Sequence, residues 1–312
     1  MPDLRFKLFG KFAAHRDAEP LAGLDAGKDQ ELLSFLLIRA GHHHSREALA
    51  TMLWGENSTA NSKKYLRQSI WHLQTVLESP QNGETNHLVI EHDWVRVNPR
   101  HRPWCDVDEF EKACTAVEGV SGKELGAEQA GQIKDAAALY RDDLLTGWYQ
   151  DWVLFERERL QNKYLLLLDK LIAYSELHRE YEHGQTYATK ILRYDPARER
   201  THRELMRLYY LSGDRTAALR QYERCANALQ RELGVKPEHH TSKLYEQIRS
   251  DQIDQSEFPA EDAPNVLAPR TNALDLIGCL KQIHGMLNTV QQRIQRDIRN
   301  VEGLPRTDRE KL

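Results

Sequence analysis

The sequence predicts a mainly α chain with a small β component, and three observations carry that reading. Between Arg179 and Ile248, small and apolar positions recur at an offset of 34 residues: Gly184 falls over Ala218, Ala188 over Tyr222 and Leu192 over Ala226. That is the period of stacked helix pairs. Upstream, apolar residues step by three and four through Lys28–Trp54 and Lys63–Glu78, the spacing of one helix face. Short runs at Leu4–His15 and His87–Val97 alternate or break around polar pairs, which reads as strands.

Taken in order, Leu4–His15 sets Leu4, Phe6 and Leu8 on one face of a strand. Lys28–Trp54 then reads as two helices split at Gly41, with Leu32, Leu33, Leu36 and Leu37 on the apolar face of the first and Ser45 as N-cap of the second. After a loop rich in Asn and Ser, Lys63–Glu78 carries Leu66, Ile70, Leu73 and Leu77 on one stripe. His87–Val97 forms two short runs around His92 and Asp93, a hairpin pattern. In the repeats, small Gly184 and Ala218 let antiparallel helices approach closely, while Tyr181, Leu208, Leu219 and Tyr222 fill the space between layers. Asp251–Thr271 holds three prolines and five acids and reads as a linker. Beyond it Leu276, Leu280, Ile283, Leu287, Val290 and Ile294 step by four and three, an amphipathic helix.

The segment Glu232-Leu233-Gly234-Val235-Lys236-Pro237, followed by Leu244 and Tyr245, resembles the end of the bacterial transcriptional activator domain, in which Gly234 stops one helix and Pro237 enters the first turn of the next. Such a domain sits behind an OmpR-like winged helix in regulators of the Streptomyces antibiotic regulatory protein type. The upstream pieces are similar to that arrangement: the opening strand, Ser45-Arg46-Glu47-Ala48-Leu49 with Leu53 and Trp54, the Lys63–Glu78 helix in the recognition position, a wing at His87–Val97, and an acidic link at Cys105–Cys114 in which Phe110 comes one position early. The resemblance covers about Leu4 to Ile248. It implies a winged helix-turn-helix over 1–104 and a tetratricopeptide-like helical array over 105–252. A 253–271 linker and a C-terminal amphipathic helix and tail over 272–312 follow from composition and spacing.

At 312 residues with 29% charged and 40% hydrophobic positions, the chain is long enough for two or more cores. No apolar run approaches a membrane span and the N-terminus lacks a signal-peptide core, so a cytoplasmic protein that avoids membranes is expected. Cys105, Cys114, Cys225 and Cys279 lack C-x-x-C spacing and read as reduced thiols. His42, His43 and His44 read as a surface turn and not a metal site, since consecutive side chains diverge. Asp142 and Asp143, and Glu156 and Glu158, read as solvated helix faces. None of the phosphate-loop, dinucleotide, zincin or nucleophile-elbow motifs occurs. The expectation is a non-enzyme with no cofactor and no metal.

A recognition helix must offer cations to phosphates and bidentate groups to base edges. Lys63, Lys64 and Arg67 supply the first; Ser69, His72 and Gln74 are the polar readers; Arg46 and Arg96 flank them near the wing. Family members carry two arginines near the end of this helix, where this chain has Trp71, His72, Leu73 and Gln74. Trp71 either stacks on a sugar or base or packs beside the wing, and the sequence leaves both open. Residues 1–105 hold 13 Lys plus Arg against 12 acids, a near-neutral balance for a DNA-binding domain. The resemblance implies a DNA-binding activator whose partners are double-stranded DNA, RNA polymerase and a second copy of the chain. The competing reading is a protein-interaction adaptor in which the winged helix no longer binds DNA and the helical groove holds a protein ligand.

Overall fold

The computed structural model describes residues 4–78 and 86–252. The linker and C-terminal helix expected after residue 252, and Cys279, lie outside the described residues. The first strand expected over Leu4–His15 is a hairpin: β1 (Leu4–Lys7) turns back at Gly10, whose φ is 97°, into β2 (Ala13–Arg16). A backbone with positive φ favours glycine, and the turn shortens the strand to one buried face of Leu4 and Phe6. β3 (Glu19–Pro20) extends the antiparallel edge, and β7 (Trp104–Cys105) pairs parallel to β1 from the other side. A second sheet orders β4 (His44–Ser45), β6 (Trp94–Val97) and β5 (Leu88–Ile90), all antiparallel.

Helix α1 (Gly27–Ile38) is buried at nearly every position from Asp29 to Ile38. A helix covered on both sides needs no polar face, which accounts for its near-continuous apolar run. It packs against α2 (Arg46–Trp54) and α3 (Thr59–Leu77) on one side. On another, Phe35 meets Trp152 edge-on, with ring centroids 5.3 Å apart. Ser45 caps α2 as expected, accepting from the Ala48 amide. α3 starts four residues before Lys63, with Ser58 at its N-cap.

The acidic link is a strand and a helix: β7 runs into α4 (Asp106–Ala116), followed by α5 (Ala127–Leu139), α6 (Asp151–Leu177), α7 (Tyr181–Tyr194), α8 (Glu199–Leu211), α9 (Arg215–Leu233) and α10 (His239–Ser250). From α6 onward each helix packs on the next. Gly184 is the close-approach point: a Cβ there would stand 3.0 Å from Leu208 Cδ1 of α8 and 3.3 Å from Ser175 Cβ of α6. Ala218 is fully buried at the equivalent place in α9. The buried stripe of α9 is Ala218, Gln221, Cys225 and Leu229, whereas Leu219 is only half-buried. Tyr222 instead stacks on Tyr245 of α10 at 4.3 Å. Gly234 ends α9 in the left-handed conformation with φ 69°. Glu238 is the N-cap of α10, so Pro237 precedes the helix and does not lie in its first turn.

The winged-helix and helical parts lie in one unit, Met1–Glu257. Asp106 seals them. Its buried carboxylate accepts the Leu8 amide at 2.9 Å, the Phe9 amide at 3.1 Å and the Val107 amide at 2.8 Å. The loop before α6 adds Gly10 N to Asp143 O at 2.9 Å and Leu145 N to Leu8 O at 2.8 Å. Asp142 and Asp143 therefore belong to a loop and not to a helix. Glu156 also departs from the solvated-face reading. It is 2% exposed and joins Arg39, the C-cap of α1 (2.6 Å), to Arg159 of α6 (2.6 Å), and Arg159 continues to Glu111 of α4. A carboxylate withdrawn from water needs such partners.

Candidate nucleic-acid interface

α2 and α3 form the helix-turn-helix, and its angle is fixed from within. Ser62 donates its hydroxyl to the Trp54 carbonyl at 2.8 Å, tying the second turn of α3 to the end of α2. Leu49, Ala50 and Leu53 of α2 and Leu66, Ile70, Leu73 and Leu77 of α3 are buried. With that stripe inward, the 3.6-residue period turns Lys64, Arg67, Gln68, Trp71 and Thr75 outward on one shared face, with Lys63 at its edge. All are exposed, and Gln74 is half-buried beside them. From Thr59 to Leu77 the helix carries three cations and no carboxylate. The near-neutral sum over residues 1–105 thus conceals a segregated distribution, because Asp29 and Glu31 are buried on α1. Lys63 pairs with Glu47 at 2.9 Å, an exposed contact of small energetic weight.

Two of the expected polar readers face a different partner. Ser69 is 6% exposed and donates its hydroxyl to Asp29 Oδ1, so its expected role at a base edge is corrected to a packing contact. His72 Nδ1 lies 2.6 Å from Asp29 Oδ2. A carboxylate only accepts, so this nitrogen carries the proton. The result is a clamp in which one buried acid of α1 holds α3 at two positions a turn apart. Asp29 had no role in the sequence reading. Its signal was a carboxylate in the first turn of a helix that is nearly all apolar from Leu32 on, and a carboxylate demands a partner once buried.

The wing spans β5 and β6, and its turn exposes Glu91, His92 and Asp93. Arg46 donates to the His92 carbonyl at 3.2 Å. Arg96 reaches His43 Nε2 at 3.1 Å and Glu91 at 3.8 Å. Both arginines therefore serve the wing's own contacts, and α3 alone assembles the expected cations on one open face. In the same region, His44 sets Nε2 3.2 Å from the Arg39 carbonyl and burial lowers its pKa. Among the described residues no group of His, Cys, Asp or Glu is placed to hold a metal, and no helix is long and apolar enough to cross a membrane. Burial pushes the Cys114 and Cys225 thiols up to about 12, which leaves them protonated and unreactive.

Residues 105–249 match the bacterial transcriptional activator domain family. The chain is 25% identical over 237 residues to the transcriptional regulatory protein MoaR1 of Mycobacterium tuberculosis, covering 72% of this chain and 73% of that protein. It is 26% identical over 245 residues to the regulatory protein AfsR of Streptomyces coelicolor, covering 78% of this chain and 24% of AfsR. Among solved structures it is similar to Mycobacterium tuberculosis EmbR in complex with a low-affinity phosphopeptide, with a TM-score of 0.61 and 21% identity, covering 82% of this chain and 67% of that one. That last likeness is one of fold.

Proposed function

From the premise that this chain is a transcriptional regulator of the Streptomyces antibiotic regulatory protein type, carrying the bacterial transcriptional activator domain over residues 105–249, we propose that it binds duplex DNA through α3 and activates transcription. The single observation that carries the proposal is the open face of α3, a helix with no carboxylate of its own, with Lys64 and Arg67 on it and Lys63, paired with Glu47 of α2, at its edge. Cations on a helix narrow enough for the major groove release counterions from phosphate and so supply affinity. Arg67 sits one turn beyond Lys63 and Lys64, where a planar guanidinium grips a guanine edge. The acidic wing turn contributes little to phosphate binding, so α3 bears most of the contact. We divide the labour near residue 104, with DNA binding before it and protein contact after it.

The partner of the helical part is RNA polymerase or a second copy of the chain. Exposed Tyr149, Leu154 and Phe155, gathered around the start of α6, support a protein contact there. A mobility-shift assay of the full chain against genomic fragments at moderate salt tests the DNA-binding reading. Retarded fragments with a shared sequence are expected. If no fragment is retarded even at low salt, the adaptor reading, with a protein in the helical groove, takes its place.

A further inference from the structure

Trp71 is 68% exposed in the middle of the α3 face. The sequence left it between packing beside the wing and meeting nucleic acid, and its exposure removes the first. Its ring makes no aromatic or cation–π contact among the described residues. The buried stripe of α3 is complete without it, so the fold does not require an indole at this place. Its neighbours on the face, Lys64, Arg67, Gln68 and Thr75, are all polar. A large apolar ring amid cations, on a helix with no carboxylate, is complementary to a polyanion that also offers an apolar group. The DNA major groove is such a surface, since thymine alone among the four bases presents a methyl group there.

Resting on the DNA-binding reading above, we propose that Trp71 selects a thymine in the bound duplex, its indole face lying against the thymine methyl group. An indole has one N–H donor and no acceptor; that donor can reach a phosphate oxygen, but a phosphate contact carries no sequence information. The ring cannot imitate the bidentate contacts that read guanine or adenine. It offers area, and area is what a methyl group rewards. Trp71 follows Arg67 by one turn, about 6 Å along the axis. The selected thymine therefore falls within roughly two base-pair steps of the guanine that Arg67 reads.

The test uses the full chain and the duplex it selects from a random pool. Each thymine is replaced in turn by deoxyuridine, which removes the methyl group alone. At one position wild type should lose about fourfold in affinity, the worth of one buried methyl. Trp71→Ala should bind the thymine and uracil duplexes alike, and Trp71→Phe should keep part of the preference. An unchanged thermal midpoint for Trp71→Ala, expected of an exposed side chain, shows that the fold is intact. If wild type binds the duplex but no uracil substitution weakens it, the proposal is overturned. The same holds if the uracil penalty survives in Trp71→Ala, in which case the exposed indole faces a protein. Absence of duplex binding at any salt is a different failure, since it removes the DNA-binding reading and this proposal with it.

Discussion

Lys64 and Arg67 share a face but should fail differently when removed. Lys64→Ala should weaken binding to all duplexes alike and lower the salt slope by ~1, whereas Arg67→Ala should cost ~1–3 kcal/mol on the preferred site and spare non-specific binding. Titrations at several salt concentrations separate the two. Restoring the family's missing charge is best tried at Gln74, which lies beside this face; an arginine at position 72 would be drawn to Asp29, which now holds His72. Gln74→Arg should tighten non-specific binding, and an unchanged low-salt affinity would count against this face. The cations were legible in the sequence because charge needs only composition and spacing. Ser69 and His72 were misjudged because their partner lies 40 and 43 residues away on α1, beyond any local pattern. A second residue-scale prediction concerns Glu204. Burial, with Asp169 nearby, raises its pKa from an ordinary 4.5 to about 7. The folded state then holds the proton more tightly, so the stabilisation is full below the ordinary value and is lost as pH rises through about 7. Wild type should lose thermal stability between about pH 5 and pH 8, by up to roughly 3 kcal/mol, and Glu204→Gln should lose less. Parallel melting curves for the two proteins would reject this origin for the pH dependence.

At the scale of elements, α1 is the central member. It holds α3 through Asp29 and meets α6 through Phe35, Arg39 and Glu31, whose carboxylate accepts the Trp152 indole N–H at 3.1 Å. Asp29→Ala leaves the Ser69 hydroxyl and the His72 ring without their acceptor. It should cost ~1–3 kcal/mol in stability, and duplex affinity should fall while the salt slope stays at the wild-type value, since no cation is lost. A lowered slope would mean that Asp29 does more than position α3. The repeat helices were legible because the 34-residue offset repeats small residues, and those residues sit at close approach, Gly184 within 3.0 Å of Leu208 were it given a Cβ. Ala218→Leu should overpack the α8–α9 contact at ~1–3 kcal/mol, read as a lower thermal midpoint. The β1–β2 hairpin was not legible, since one glycine at positive φ turned what reads as a single strand. Nor was the strand in the acidic link, whose parallel partner lies about a hundred residues earlier.

At the scale of the whole molecule, the winged helix and the helical part are not beads on a string. Asp106 accepts the amides of Leu8 and Phe9 just past the first strand, and Glu156 is held between Arg39 and Arg159. A fragment ending at residue 104 loses the strand partner Cys105 and the Asp106 carboxylate, and should melt well below one that continues through α4. This joint was hidden in the sequence because acids on a charged helix read as solvated until a distant arginine is known to meet them. Through this joint α6 touches α1, and α1 in turn holds α3 through Asp29. We propose that α3 binds DNA by its open cationic face. The most direct measurement is the salt dependence of duplex affinity for wild type and for the combined Lys63→Ala, Lys64→Ala, Arg67→Ala variant. Wild type should bind at low salt, and the slope should fall by about two in the variant, ~1 for each of the two lysines. Equal slopes for the two proteins, or no duplex binding by wild type at the lowest salt, would contradict it.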